Sequence, residues 1–258
     1  MLEATAREVV TKLMERFPSR LRVHFGMNHR TKLMSNWTLN FCSDEILEQF
    51  IEETARHGII VVALRLSGHF ELTDAGIERL GVLTDLKTLE ILGERLAGTG
   101  FAALGGLLRL KLLLVDSPKL NDEGLGAIAT LTGLTDLSIV RSEFLTAAGL
   151  SHLAALVNLE SLTFLVTNVD GEGLPPLPSL KRLHLEPPHF TAAALQHLAN
   201  QPQLAELSLT GGKDSGLALA LPGLVHLHRL VLILSYGRRL REIATLLLGG
   251  LHELNFSD

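Results

Sequence analysis

One short pattern recurs along this chain and limits its fold more than any other feature. Most copies have apolar residues at the first, fourth and sixth positions of a six-residue segment, and successive segments start 21 to 25 residues apart. The ten copies begin at Asn36, Val61, Leu86, Leu110, Leu134, Leu159, Leu180, Leu204, Leu227 and Leu251. Self-similarity at this period indicates a repeat protein in which each repeat is one structural unit.

A second signature follows most of these segments, as in LTDAGI from Leu72 and LNDEGL from Leu120. Apolar residues then continue at helical spacing, for example Ile77 and Leu80. Four residues occupy the position of a helix N-cap, namely Thr73, Asn121, Thr146 and Thr191. Glycine recurs at one position, as Gly76, Gly100, Gly124, Gly149 and Gly173, with Ala194 in the next copy. We attribute these glycines to close packing of the helix on the strand layer.

Stacking follows from the apolar content of each unit. One strand and one helix cannot cover their own leucine face, so neighbouring repeats must pack against each other. The strands then form a parallel sheet on one side, and the wider helices lie on the other. The sequence therefore predicts an α/β solenoid, shaped like a horseshoe, with a concave parallel sheet and outer helices.

With these two signatures the chain resembles the leucine-rich-repeat family over residues 36–258. The repeat motifs are most similar to bacterial repeats of the ribonuclease-inhibitor-like or cysteine-containing kinds. The resemblance implies this solenoid fold and a role as a recognition scaffold. The chain departs from the family at the ninth repeat position, where Asn or Cys is usually buried. That position holds His69, Glu94, Pro118, Ser142, Thr167, Pro188 and Gly212, which predicts that the buried asparagine ladder is absent.

The ends of a solenoid need covering, and residues 1–35 are interpreted as an N-terminal α/β cap before the repeat domain 36–258. An amphipathic stripe that Pro18 ends supports this interpretation; it consists of Leu2, Ala6, Val9, Val10, Leu13, Met14 and Phe17. A short strand with alternating Leu21, Val23 and Phe25 follows. Docking of a partner on this helix is the alternative.

The last strand segment ends close to Asp258, and no polar helix follows it. Three explanations stay open. Residues 238–258 act as a cap, the full protein continues beyond them, or the last strand pairs with a second copy of the chain to form a homodimer.

Charge and cysteine content exclude several classes of function. A formal net charge of -5 disfavours nucleic acid and anionic membrane surfaces as partners. The single cysteine excludes an internal disulfide. The first residues contain Glu3 and Glu8 and no long apolar stretch, so we expect no signal peptide. We expect a bacterial cytoplasmic protein, with secretion independent of a signal peptide as the alternative.

Residues that could carry chemistry are few. A thiol enzyme would need a base near Cys42, and His69 after the next strand is the one neighbour that the repeat offers. His226, His228 and His252 could meet across two repeats as a metal site, which is a weak alternative. We expect a structural cysteine, no catalytic residue, no metal and no cofactor.

The concave sheet face is the remaining candidate. Side chains alternate along a strand, so the second, third and fifth residues of each segment point away from the core. An apolar pair and a basic cluster around one glutamate stand out on this face. The candidate partner-binding residues are Trp37, Arg65, Leu112, Leu114, Lys181, Arg182, His184, Glu206 and Arg229. The alternative is a solvated face whose charges neutralise one another across strands.

These observations predict a non-catalytic scaffold that binds another protein on its concave face. A bacterial effector or adaptor, whose repeats select a target for another component, is the alternative function.

Overall fold

The computed structural model describes residues 2–17, 22–27, 34–69, 71–186, 192–210, 227–233 and 253–257. Its strands are β1 (Arg22–Met27), β2 (Met34–Asn40), β3 (Ala63–His69), β4 (Thr88–Gly93), β5 (Leu112–Asp116), β6 (Asp136–Val140), β7 (Ser161–Leu165), β8 (Arg182–Leu185), β9 (Glu206–Thr210), β10 (Arg229–Ile233) and β11 (Glu253–Ser257). Its α-helices are α1 (Leu2–Arg16), α2 (Asp44–Arg56), α3 (Asp74–Glu78), α4 (Asp122–Ile128), α5 (Ala147–Leu150) and α6 (Ala192–Ala199). Three 3-10 helices cover Arg79–Val82, Thr99–Leu104 and Ser151–Ala155.

The strands form one sheet in sequential order from β1 to β11. β1 pairs with β2 in antiparallel fashion, and each later strand pairs in parallel with the one before it. Helical segments lie between most pairs of neighbouring strands. The predicted α/β leucine-rich-repeat solenoid is thus confirmed.

A continuous leucine row under the sheet explains why the repeats stack. Buried and half-buried residues alternate along the central strands, as the period of a strand requires. The fourth positions of successive segments pair in register and are all buried; they are Leu64, Leu89, Leu113, Leu137, Leu162, Leu183, Leu207 and Leu230. Each leucine from Leu89 to Leu207 therefore packs between the leucines of the two neighbouring repeats.

Aspartates at the start of the helical segments join one repeat to the next. The Asp44 carboxylate accepts hydrogen bonds from the backbone N–H of Thr73 at 2.9 Å and from its hydroxyl at 2.5 Å. The Asp122 carboxylate accepts the same two bonds from Thr146 at 2.8 and 2.6 Å. These bonds satisfy groups at the start of the following helix that would otherwise lack partners.

Asp74 makes the most extensive of these junctions. Its carboxylate accepts from the backbone N–H groups of Ala97, Gly98 and Gly100 at 2.9, 2.9 and 3.1 Å. We call the Asp44, Asp74 and Asp122 contacts the aspartate junctions.

The recurring glycines have a different cause from the one predicted. A Cβ at Gly76 would overlap the Asp44 carboxylate, and a Cβ at Gly149 would overlap that of Asp122. At Gly124 it would overlap the backbone of Ala97. The space that glycine leaves is filled by the N-terminal turn of the preceding repeat rather than by the strand layer.

Ile46 occupies the equivalent position in the first repeat, three residues after the N-cap Ser43, and it is buried. The chain has no aspartate before Asp44, and α2 contacts α1 rather than a preceding repeat.

Val9 and Leu13 of α1 belong to the common core, whereas Met14 of the predicted stripe is 44% exposed. The role of residues 1–35 as a cap stays a prediction.

The predicted N-caps have mixed outcomes. The side chains of Asn121 and Thr146 accept from the N–H groups of Gly124 and Ala148, as predicted. Thr73 makes no such cap bond, although its hydroxyl donates to Asp44 just as that of Thr146 donates to Asp122. Thr191 lies outside the described residues.

Hydroxyl groups join the loops that follow the strands, where the family usually has asparagine. Ser142 Oγ donates to the carbonyl of Ser117 at 3.1 Å, and Ser117 Oγ donates to that of Leu96 at 2.8 Å. Both serines and Thr167 are buried. The Thr167 hydroxyl has no hydrogen-bond partner among the described residues, so these bonds link the loops of three repeats and do not continue as a ladder.

Candidate functional site

The candidate site lies on the sheet face that points away from the helices, which we call the open face. It is formed by the third and fifth residues of each segment, and these pair in register from strand to strand. From β3 to β10 the third positions are Ala63, Thr88, Leu112, Asp136, Ser161, Arg182, Glu206 and Arg229, and the fifth are Arg65, Glu90, Leu114, Ser138, Thr163, His184, Ser208 and Val231. Charged, apolar and hydroxyl groups thus replace one another along two continuous rows.

The prediction that Trp37 lies on this face is wrong. Trp37 pairs with Leu64, is 1% exposed, and its ring meets that of Phe50 at 5.1 Å in an edge-to-face arrangement. The first segment therefore starts at Met34, two residues before the predicted start. The run Met34, Trp37, Leu39 fits the apolar pattern as well as the predicted register, and the bulk of the indole was the signal for a core position.

The same shift moves Cys42 to the ninth position of its repeat, where the family buries asparagine or cysteine. Cys42 is fully buried, and its backbone N–H donates to the carbonyl of Ser67 at 2.9 Å. Burial, with a smaller contribution from Asp44, raises the pKa of the Cys42 thiol far above its usual value. A protonated, inaccessible thiol is a poor nucleophile, so the geometry favours the structural interpretation.

Four of the predicted residues line one groove of about 320 Å³ across β7 to β10. Arg182, His184, Glu206 and Arg229 lie in it beside the hydroxyl-bearing Ser161, Thr163 and Ser208. Lys181 points to a different neighbour, because its Nζ lies 3.0 Å from the Glu160 carboxylate. The structure thus brings most of the predicted basic cluster together around Glu206, as the repeat register requires.

Ion pairs on the open face are long and exposed. Arg182 lies 3.5 Å from Asp136, and the two side chains are 47% and 39% exposed. Arg229 lies 3.6 Å from Glu206, and Arg65 lies 3.2 Å from Glu90 near the other end of the described sheet. Exposed pairs of this kind contribute on the order of 0–1 kcal/mol to folding, so they leave these charges available to a partner.

His184 is the titratable group of the groove with a shifted pKa. Burial lowers the pKa of His184 below its ordinary value, and the nearby Glu186 opposes this by raising it. The ring Nε2 lies 3.3 Å from the hydroxyl of Thr210. His184 is therefore mostly neutral at pH 7 and can serve as a hydrogen-bond donor or acceptor.

Leu112 and Leu114 lie on the open face as predicted, and both are half-buried. Leu92, Val140 and Leu165 lie close by on β4, β6 and β7, each also half-buried. Asp116 pairs with both Leu92 and Val140 in the sheet, so these apolar residues do not form one uninterrupted patch.

A charged network just beyond the strand ends was not predicted from the sequence. Arg141 Nη1 donates to Glu94 at 3.0 Å and its Nε donates to Asp116, so the network links three repeats. The hydrogen bond that Arg141 donates to the Asp116 carboxylate is the main cause that raises the pKa of Arg141. Arg141 has a left-handed backbone with φ of 56°, which is uncommon outside glycine. The sequence signal for this network was the opposite charges of Glu94, Asp116 and Arg141 at or just after the ends of neighbouring strands.

Phe144 and Lys119 border a second groove nearby, which has a volume of about 530 Å³. The Lys119 ammonium lies 5.1 Å from the centre of the Phe144 ring, and Phe144 is 53% exposed.

Within the part of the chain that the structure describes, no group of three or more His, Cys, Asp and Glu side chains is placed to hold a metal ion. His226 and His252 of the weak metal hypothesis lie outside the described residues. Of the helices described, none is long and apolar enough to cross a bilayer.

The sheet is parallel from β2 onward and lies over stacked leucines, with strand segments that start 21 to 27 residues apart. These features define the fold class as a leucine-rich-repeat solenoid. No protein-family model and no curated protein matches the chain. Among solved structures, the crystal structure of an internalin from Listeria monocytogenes is similar over 86% of this chain and 67% of the internalin chain, with 16% sequence identity and a TM-score of 0.49.

Proposed function

We propose that this chain is a non-catalytic scaffold that binds a protein partner on its open face. The observation that carries the proposal is the contrast between the two sides of the strands. The core side repeats leucine in register, whereas the open side changes its chemistry from repeat to repeat. Extended sheet faces of solenoids are suited to recognition, because many strands present side chains at regular spacing.

A protein is the proposed partner because the charge of the open face is mixed. Arg65, Arg182 and Arg229 alternate with acidic residues, and the formal net charge of the chain is -5. Nucleic acids would require a basic surface to neutralise their phosphates. A bacterial cytoplasmic setting is part of the proposal on sequence grounds alone. Pairing of two copies through the β11 edge stays a prediction that light scattering can test.

Binding rather than catalysis is proposed because the strongest candidate nucleophile is inaccessible. Cys42 is buried and its thiol pKa is raised, so it lacks the activated thiolate that covalent catalysis needs.

Site-specific photo-crosslinking in the source cells tests this proposal. A benzophenone side chain is placed at Ser138 on the open face and, as the matched control, at the exposed Ala154 on the helix side. We expect one protein to be cross-linked from position 138 and not from position 154. Cross-links from position 154 alone, or from neither position, would contradict binding on the open face.

A further inference from the structure

The β7–β8 end of the groove carries more hydrogen-bonding capacity than the chain itself uses. Arg182 is 47% exposed, and within the described residues its ion-pair contact is the single 3.5 Å approach to Asp136. Charge-assisted hydrogen bonds between arginine and carboxylate are normally about 2.7–2.9 Å long and often paired. Most of the five N–H donors of this guanidinium are therefore directed to the groove or to solvent.

Hydroxyl groups line the groove beside Arg182 and His184 and lack hydrogen-bond partners in the described part of the chain. Ser161 pairs with Arg182 across the sheet, while Thr163 and Ser208 flank His184 on either side. All three are half-buried and line the groove, and their side chains make no hydrogen bond to any described residue. A bound group that accepts hydrogen bonds would satisfy them.

The charges around the groove favour an occupant with one negative charge. Glu206 is the acidic residue that lines it, and this carboxylate already faces Arg229 at 3.6 Å. The guanidinium of Arg182 is therefore the group that can bind an incoming anion. Glu206 and Asp136 already offset the charges of Arg229 and Arg182, so a singly charged carboxylate adds less uncompensated negative charge to the groove than a dianionic phosphate does. The arrangement fits a single carboxylate group.

The dimensions fit an extended peptide. Four parallel strands spaced by roughly 4.8 Å span about 14 Å from β7 to β10. Extended chain advances about 3.3–3.6 Å per residue, so about four residues cover this distance. Building on the proposed function, we propose that the groove over β7 to β10 binds an extended segment of a protein partner through one Asp or Glu side chain, held by Arg182 and the hydroxyls of Ser161 and Thr163.

Oriented octapeptide pools test this inference on the full chain. Four fluorescein-labelled pools have Glu, Gln, Lys or phosphoserine fixed at the centre and equal mixtures of Ala, Ser, Leu and Tyr elsewhere. Fluorescence anisotropy at physiological salt measures binding to the native protein, to Arg182→Gln and to Arg65→Gln. The second variant is the matched control, because Arg65 is an exposed open-face arginine in a similar ion pair outside the groove.

We expect the native protein to bind the Glu pool about tenfold more tightly than the Gln pool, as one charge-assisted hydrogen-bonding pair can supply. This preference should vanish in Arg182→Gln, persist in Arg65→Gln and be partly retained in Arg182→Lys, which keeps the charge but loses the fork. Unchanged urea midpoints would show that the variants are folded.

Equal binding of the Glu and Gln pools, or a preference that survives Arg182→Gln, would overturn the inference. Stronger binding of the Lys or phosphoserine pool would also overturn it. Cross-linking from position 138 without any Glu preference would leave the scaffold function standing and remove only the carboxylate site. Loss of that cross-link would instead remove the scaffold function.

Discussion

Acidic residues on the two sides of this solenoid behave differently. At the aspartate junctions, carboxylates accept bonds of 2.5 to 3.1 Å from groups of the next repeat. On the open face, the ion pairs of Arg65, Arg182 and Arg229 are 3.2 to 3.6 Å long, and the paired side chains are 31% to 53% exposed. The first group holds the fold together, whereas the second leaves charge accessible.

The difference follows from what each carboxylate satisfies. A junction aspartate binds backbone N–H groups at the start of a helical segment, and these have no partner within the helix. An open-face carboxylate binds a flexible side chain that water solvates equally well. Charges that recur within the repeat signature are therefore structural, and charges that vary between repeats are the better candidates for recognition.

The largest effect in this comparison should come from Asp74→Ala. The substitution removes the acceptor for the N–H groups of Ala97, Gly98 and Gly100. We expect it to lower the free energy of unfolding by about 3 kcal/mol, since each donor left unsatisfied costs on the order of 1–3 kcal/mol when buried. Urea denaturation followed by circular dichroism measures this change.

Glu90→Ala is the open-face control for that experiment, because it removes a carboxylate that pairs with Arg65 alone among the described ion pairs. Its effect should be within about 0.5 kcal/mol. Equal effects of the two substitutions would remove the distinction between junction and open-face charges.

A smaller effect is expected from the glycine that makes room for a junction. The Cβ of Gly76→Ala would overlap the Asp44 carboxylate, which must then move away from Thr73. We expect a loss of about 1–3 kcal/mol in the free energy of unfolding, which is typical of overpacking. Thermal and urea unfolding of the variant measure this loss.

Gly106→Ala is the matched control, because a Cβ there meets nothing within 4 Å. This control should be neutral or stabilising by up to about 1 kcal/mol through the unfolded chain. A neutral Gly76→Ala would show that the glycine is not required by the junction.

The fold could be predicted from the sequence because leucine spacing alone determines the stacking. The aspartate junctions could not be predicted, because the pattern shows that glycine recurs at the position of Gly76 but not which atom fills the space beside it. The clue was in the first repeat, where Ile46 replaces the glycine and no aspartate precedes it. The atom that fills the space beside Gly76 belongs to the preceding repeat, so the pattern within one repeat cannot identify it.

The candidate site was predicted in part, since the register places Arg182, His184, Glu206 and Arg229 in one groove. The register predicted for Trp37 was wrong by two residues. A shift of two residues leaves the alternation of inward and outward side chains unchanged, so the apolar pattern could not distinguish the two registers. The loop network of Arg141 was missed because its backbone leaves the strand with a positive φ that no periodic pattern encodes.

Arg182→Gln should have little effect on stability, in contrast to its expected effect on binding. Its contact with Asp136 is long and exposed, so we expect a change within about 0.5 kcal/mol in the free energy of unfolding. Urea midpoints of the variant and native protein provide the measurement. A loss comparable to that of Asp74→Ala would place Arg182 among the structural charges and weaken its assignment to recognition.

The smallest expected effect is the contribution of His184 to the pH dependence of the free energy of unfolding. Burial lowers its pKa in the folded chain below the ordinary value, so the unfolded chain binds more protons in the window below about pH 6.5. The stability contributed by neutral His184 is present above that pH and is lost as the pH falls through it. His184→Gln should therefore lose less stability than the native protein between about pH 7.5 and 5.5.

NMR titration of the His184 ring measures the same quantity directly and connects it with recognition. A pKa at or above the ordinary histidine value would contradict the dominance of burial. A carboxylate bound beside His184 would favour the protonated ring, so the Glu-centred peptide pool should raise this pKa and the Gln-centred pool should not. Equal shifts with both pools would mean that the peptide carboxylate lies away from β8, and would separate peptide binding on the open face from carboxylate recognition by Arg182.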